Sequence, residues 1–498
     1  MWLSKIAIFV VLAAIPAAAQ SGDLAKKSHQ ASELMAAGKF DQAIPIYREL
    51  VRAIPNNPGF ALNLGLALHM AGRDREAIPP LQTALKRDPQ LFPANLFLGA
   101  AFLGAGEPER AIPPLTKACK TQPANPDAQQ MLAAALLSLD RFKEAAEHYK
   151  KLSELLPQNP KAWAGVVQCY QALAQSEFEK LGRTARDSGY WFALMAEARA
   201  KNQQFKSAFY LYRQALGRTP ELRGVHAAVA EIYRKSDHPA WPVLEDKKER
   251  ELPAPNCTVR EAECDFFAGR YAEAAMAAAP TDGPDAFYWR TKAYNSLANE
   301  AYARLKQLPP SAEAHEQAAM LCRSQGKHRE EIDEWQAALK FAPNDAQIET
   351  QLAFALNQFG DHEAARTVLQ SLIKKSPESA MVNYLLGDTL SKLHQPTEAI
   401  PRLEKAVTQD PHLLAAQSSL ARAYLQVGEG AKAIPHLEAA LPTDEDGSLH
   451  YQLARAYSSK GQQELAQRVL KEYQAIQEAK QAELISVDKE VSITAPAQ

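Results

Sequence analysis

The chain reads as an all-α protein, a right-handed α-solenoid of stacked helix-turn-helix units. Two periodic markers and one pattern predict this. Ala43, Ala77, Ala111 and Ala145 stand 34 residues apart, and Pro55, Pro89, Pro123 and Pro157 keep the same interval. The interval returns with Pro343, Pro377 and Pro411, and with Ala365, Ala399 and Ala433. A fixed period of this kind means one small unit stacked many times. Within each period the apolar residues recur at helical spacing, and no segment reads as a strand.

Residues 58–91 are the cleanest copy. Leu62, Leu64, Gly65 and Leu68 fall on one helical stripe, which Gly72, Arg73 and Asp74 interrupt. Glu76, Ala77, Ile78, Leu81, Ala84 and Leu85 form a second helical segment, and Asp88-Pro89 stops it, because proline disfavours a helical residue before it. The unit is helix A, turn, helix B, stop. Gly65 and Ala77 are expected where the two helices cross, with Gly99 and Ala111, Ala133 and Ala145, Ala353 and Ala365, and Gly387 and Ala399 repeating the pair. Helix A buries its stripe only against its own helix B and the next helix A, so the array is the domain. Proline also recurs inside helix B, at Pro45, Pro79-Pro80, Pro113-Pro114, Pro401 and Pro435. These prolines are expected in the first turn, where amide hydrogens lack helical partners.

Leu64-Gly65, Phe102, Tyr47, Tyr149, Tyr212, Trp335 and the recurring Ala and Pro resemble the signature of the tetratricopeptide repeat family. The resemblance covers residues 24–159, as four regular units, and 312–480, as five units ending in a capping helix. It implies a superhelix whose concave groove, lined by helix A, receives a protein or peptide partner. Carried over residue by residue, it points Leu62, Leu66, Met70, Leu96, Leu103, Gln130 and Leu137 toward an apolar N-terminal groove, while packing of these leucines against adjacent helices fits Leu62 and Leu96 equally well. The same face in the C-terminal array carries Thr350, Asn357, Tyr384, Asp388, Lys392, Ser418, Arg422, Tyr451 and Arg455, and is polar. The Lys, Asn and Arg with which some members grip a terminal carboxylate are not matched: Asn63 fits, but Ser28, Ser32, Pro93 and Phe97 hold the other places.

The ends and the composition bound the setting. Lys5 precedes the apolar run 6–15, and Ala17-Ala18-Ala19 follows. A charged start, a short apolar core and an A-x-A site make a secretory signal peptide, residues 1–19. The run is too short to span a bilayer, and no later segment is long and apolar enough. The mature chain is expected to be periplasmic or secreted. With 56 basic and 58 acidic side chains, the net charge of −2 gives no basic footprint for nucleic acid. Of the cysteines, only Cys257 and Cys264 are close. On one helix they stand too far apart to bridge, but Pro253, Pro255 and Asn256 set Cys257 before the helix. A disulfide and two free thiols both fit this pattern.

The beat fails over residues 160–311, read as irregular helical hairpins. Helix A at 160–170 runs on past Leu181 to Asp187-Ser188-Gly189, and a regular unit follows to Pro220. Residues 245–251 and Pro253-Ala254-Pro255 read as a loop, and two shortened pairs are expected, around 266–279 and 287–308. The aromatic cluster Tyr190, Trp191, Phe192, Phe205, Phe209, Tyr210 and Tyr212 fits either core or site. Residues 485–498 read as a loose tail.

No catalytic constellation emerges. His315-Glu316 begins like a zinc-protease helix, but Ala319 holds the place of the second histidine. C-x-x-C, phosphate-loop and G-x-S-x-G motifs are missing. The remaining histidines scatter over the repeats. No cofactor or metal is expected. The pattern points to a non-catalytic scaffold that binds partner segments in the cell envelope. Two alternatives are a permanent component of an export or outer-membrane assembly, and a carbohydrate binder or enzyme using the aromatic middle.

Overall fold

The computed structural model describes residues 21–236, 238, 240–278, 283–490 and 493–496, with side chains described outside Ser21 and 479–490. The expected leader, with its cleavage site, lies outside these residues. Among them are 26 α-helices, a three-residue 3-10 turn and no strand. The chain divides into two compact units, residues 1–180 with 256–309, and 181–255 with 310–498.

Local chemistry sets each helix end. Asn57, Asn125, Asp345 and Ser379 cap helix A with side-chain oxygens that accept from free amides of its first turn. Helix A then breaks at a residue of positive φ, Gly38, Gly72 and Gly106 in turn, and at the fourth repeat the same place holds Asp140, φ 57°. In the second unit Gly360, His394 (φ 60°) and Gly428 repeat this turn. Helix B ends two residues before each linker proline, at Ala53, Arg87, Thr121 and Leu155, with the capping residue between. That proline has a second job. A side-chain donor six residues later closes on its carbonyl: Asn95 on Pro89 (3.1 Å), Gln129 on Pro123 (2.8 Å), Trp163 on Pro157 (2.9 Å), Asn383 on Pro377 (2.9 Å) and Gln417 on Pro411 (3.1 Å). The linker is thus tied to the next helix A.

The helix crossing differs from the sequence reading. A Cβ on Gly65 would lie 2.7 Å from Leu81 Cδ2, and nearer still to its Cγ, so the glycine receives Leu81, one turn beyond Ala77. Gly99 receives Leu115 and Gly387 receives Leu403 in the same way. Ala77, Ala111 and Ala399 are fully buried beside these contacts. The helix B prolines also sit deeper than expected. Helix B begins at Phe40 and Asp74, so Pro45 and Pro79 fall in its second turn and each removes one backbone hydrogen bond.

The first unit stacks four helix pairs from Ser21–Ala36 to Phe142–Leu155, followed by the helix Pro160–Thr184 as far as Lys180. The short pair Glu261–Phe267 and Tyr271–Ala277 and the long helix Pro284–Gln307 complete it. That last element corrects the expected second short pair. No glycine or proline follows Pro284 until Pro309, so nothing breaks the helix. Its Tyr294 stacks on Tyr170 at 6.0 Å, and its Arg290 pairs with Glu177 at 2.6 Å, both partners buried.

The second unit holds the pairs Gly189–Lys201 with Phe205–Arg218 and Val225–Lys235 with Pro242–Glu251, then five pairs from Ala312–Ser324 to Gln463–Glu490. Residues 245–251 are therefore helical, not loop. Pro242 occupies the first turn, where proline is tolerated, and Glu245 pairs with Lys248 at 3.0 Å one turn on. The last helix runs to Glu490, into the stretch read as loose tail.

Three histidines that looked scattered, and His315, share one device. His148 bonds Gln129 (2.6 Å), His226 bonds Glu245 (2.5 Å), His315 bonds Glu334 (2.6 Å) and His436 bonds Gln417 (2.6 Å). Partners are 19 residues apart each time, which joins helix A to helix B of one repeat.

Candidate functional site

In the first unit the expected apolar groove is largely core. Leu62, Leu66 and Leu96 are 1%, 5% and 8% exposed, and all three belong to the continuous hydrophobic core. Successive helices A stand close enough that their stripes cover one another. Met70, Leu103, Gln130 and Leu137 are half-buried. Two of these, Leu103 and Leu137, hold equivalent places 34 residues apart near the ends of their helices.

The second unit brings its expected residues together. Asp388, on Ala380–Lys392, is 4% exposed. Its Oδ2 accepts from Asn357 Nδ2 at 2.9 Å and lies 3.0 Å from Lys392 Nζ. Its Oδ1 accepts from the Ser419 hydroxyl at 2.7 Å, with Arg422 Nη1 at 3.8 Å. Asn357 in turn accepts from His362 Nδ1 at 2.9 Å. Burial pushes the Asp388 carboxyl up, but Lys392, the Ser419 hydrogen bond and Arg422 outweigh it and hold the group below its ordinary value. Tyr384 is pushed up to about 12, first by burial and then by the Asp388 charge. Its phenol stays protonated at neutral pH.

Beyond this network the face opens. A cleft of about 560 Å³ is lined by Arg422, Gln426, Tyr451, Gln452 and Arg455, and its lining includes no acidic side chain. Arg455 is exposed and stands 6.0 Å from the Tyr451 ring centroid. Arg422 links the two halves: it faces Asp388 on one side and the cleft on the other. The arrangement has no nucleophile–base pair. What it offers is two guanidinium groups beside a flat aromatic and two amides, a surface that hydrogen-bonds and attracts an anionic chain.

Ser419, Gln426 and Gln452 escaped sequence reading. A signal existed: Asn357, Asp388 and Ser419 are each 31 residues apart, one helical turn short of the repeat. Such a diagonal brings side chains on three successive helices A into one cluster. The aromatic middle divides. Phe209 and Tyr212 are core, while Tyr190, Trp191, Phe192, Phe205 and Tyr210 are half-buried. Cys257 and Cys264 form a disulfide with Cα atoms 5.7 Å apart, Cys257 preceding the helix Glu261–Phe267. His315 stacks on Phe341 at 5.5 Å as well as bonding Glu334.

Comparison with known proteins agrees with the repeat. Tetratricopeptide repeat profiles match residues 29–91 and 351–411, 102–169 and 390–452, and 447–480. Together they cover just over half of the chain, which therefore belongs to the tetratricopeptide repeat family, a class of protein-interaction scaffold. Among solved structures, MamA from Desulfovibrio magneticus RS-1 (residues 41 to the end) is 24% identical with a TM-score of 0.31, over 34% of this chain and 96% of that one. Another MamA crystal structure is 22% identical at 0.30, over 34% and 94%. YrrB, described as a TPR protein with an unusual peptide-binding site, is 21% identical at 0.28, over 33% and 86%. These likenesses concern the fold alone. Comparison with curated protein sequences finds no match. Among the described residues no helix is long and apolar enough to cross a membrane.

Proposed function

We propose that the chain is an exported, non-catalytic scaffold that holds an acidic segment of a partner protein along helix A of its last repeats. The observation that carries this reading is the cleft of Arg422 and Arg455, whose lining is cationic without a balancing acid. Asp388 is already engaged by Asn357, Ser419 and Lys392, so it organises the wall and leaves Arg455 to the ligand. An exposed arginine beside a tyrosine face suits a carboxylate flanked by apolar atoms.

Lys5, the apolar run 6–15 and Ala17-Ala18-Ala19 support export, with mature chain starting at Gln20. The Cys257–Cys264 bridge supports the same setting, because such bonds persist in oxidising compartments. N-terminal sequencing of the envelope-fraction protein tests this half of the reading, and an unprocessed cytosolic chain would end it.

The binding half is tested by charge reversal. Arg455→Glu with Arg422→Glu should lower affinity for an acidic peptide panel by about a hundredfold, the loss of two charge-assisted contacts of about 1.5 kcal/mol each. Helicity should be unchanged, and binding should weaken with salt. Equal affinity of the variant and the natural chain would refute the assignment.

A further inference from the structure

The aromatic residues Phe209 and Tyr233, on the helices Phe205–Arg218 and Val225–Lys235, are buried, and the chain's own tail meets this place. Residues 493–496 of the same chain lie on it. The Tyr233 hydroxyl donates to the main-chain carbonyl of Thr494 at 2.8 Å, and Arg213 Nη1 donates to the Thr494 hydroxyl at 3.3 Å. The partners are 261 and 281 residues apart in sequence, so the contact is tertiary and not a by-product of local chain geometry. Ile493 and Pro496 are half-buried, and Thr494 and Ala495 are exposed.

The surroundings of Tyr233 are aromatic. Phe209 lies 5.5 Å from the Tyr233 ring, and Trp241 meets Tyr233 edge-on at 5.4 Å. His238 stacks on Trp241 at 3.8 Å, and Arg213 reaches over Phe209 at 6.0 Å. Tyr233 is 1% exposed with the segment in place. A buried phenol needs a hydrogen-bond partner for its hydroxyl, and the partner here is a peptide carbonyl. Such a contact reads an extended backbone, whatever the side chain. The contact from Arg213 is different, because it selects a hydroxyl-bearing residue. Proline two positions later lowers the entropy lost when such a segment is held extended.

We propose that Arg213 and Tyr233 form a second peptide-binding site, specific for an extended segment with a hydroxyl residue two places before a proline. The chain's own Ile493-Thr494-Ala495-Pro496 occupies this site in cis as a built-in competitor. A partner segment of the same chemistry enters only by displacing the tail. A tethered ligand acts at an effective concentration on the order of 1 mM. An incoming peptide that binds the open site with a Kd of about 50 μM therefore appears more than tenfold weaker to the intact chain.

The test uses the full-length chain, in its natural form and with residues 491–498 replaced by a Gly-Ser sequence of equal length. The probe is a fluorescein-labelled peptide of residues 491–498, followed by anisotropy. The Gly-Ser-tailed chain should bind the probe at least tenfold more tightly than the natural chain. Tyr233→Phe and, independently, Arg213→Ala in the Gly-Ser-tailed background should each weaken binding about fivefold or more, with the circular dichroism spectrum unchanged. Thr494→Val in the probe should match the Arg213→Ala loss and add nothing to it. Arg455→Glu should leave probe binding unaltered, which separates this site from the acidic-segment cleft. Equal affinity for the two chains, or no binding to the Gly-Ser-tailed chain at about 1 mM probe, would overturn the proposal. So would binding indifferent to both Tyr233→Phe and Arg213→Ala.

Discussion

Asp388→Ala isolates the cluster that organises the proposed groove. The substitution removes the acceptor for two buried donors, Asn357 Nδ2 and the Ser419 hydroxyl. A buried donor left without a partner costs about 1–3 kcal/mol. The Ser419 hydroxyl can rotate toward a carbonyl of its own helix, so its share falls at the low end. Lys392 and Arg422 keep 28% and 42% of their side-chain surface, so water replaces most of what the carboxylate gave them, and each ion pair counts for about 1 kcal/mol or less. The total loss is about 2–4 kcal/mol. Helix arrays unfold by repeats, so the loss belongs to the C-terminal repeats alone. Hydrogen exchange across residues 346–426 is the assay, with the first repeats as internal reference. Asn357→Ala alone and in combination with Asp388→Ala should be strongly non-additive, because both remove one shared contact. The pH dependence supplies a second check. Asp388 titrates below its unfolded value of about 3.9, so its contribution is fully present above that pH and fades as pH falls through the folded value. The difference between natural and Asp388→Ala chains should shrink in acid. A loss under about 0.5 kcal/mol, or a difference that grows in acid, would refute the account.

Two further outcomes follow from the repeat itself. Gly65→Ala should destabilise the first unit by about 1–2 kcal/mol, the strain of meeting the fully buried Leu81 less the better helix propensity of alanine. Urea unfolding measures it, and the loss should shrink when Leu81→Ala is added. His394→Gly should stabilise the second unit by about 0.5–1 kcal/mol, since His394 holds φ 60° at the place where Gly360 and Gly428 sit. A lower urea midpoint would mean that the His394 side chain contributes more than its backbone strain costs.

The repeat was legible because its rules are local. Gly72 after Met70 and Asp88 before Pro89 each act within a few residues, and the structure places helix ends at those signals. The groove was harder to read because exposure depends on the neighbouring helix. Leu62 and Leu103 look alike in a helix A pattern, yet Leu62 is 1% exposed and Leu103 is half-buried at its helix end. A Leu66→Asp substitution would therefore measure core stability, whereas Leu103→Asp would probe the surface. The long helix Pro284–Gln307 was missed for the opposite reason. A 34-residue beat places a turn in this stretch, yet no glycine or proline lies between Pro284 and Pro309 to make one.

The polar cluster shows how a repeat array acquires a specific place. Strict repetition puts equivalent residues 34 apart and gives every helix A the same face. Such a face is uniform and has no preferred register for a ligand. Asn357, Asp388 and Ser419 run at 31 instead, so the hydrogen-bonded line climbs one turn per repeat and crosses the array diagonally. A buried acid can be placed only where this diagonal supplies donors from both neighbours, since an unpaired carboxylate would otherwise be driven to its neutral form. The line therefore ends where it must, at Ser419, and Arg422 on the same helix turns its remaining surface to the cleft. Register along the groove is set by that break in symmetry. Moving Asp388 by one repeat, to position 422 with Arg422 removed, would leave it without the Asn357 and Ser419 donors and shift no binding site with it.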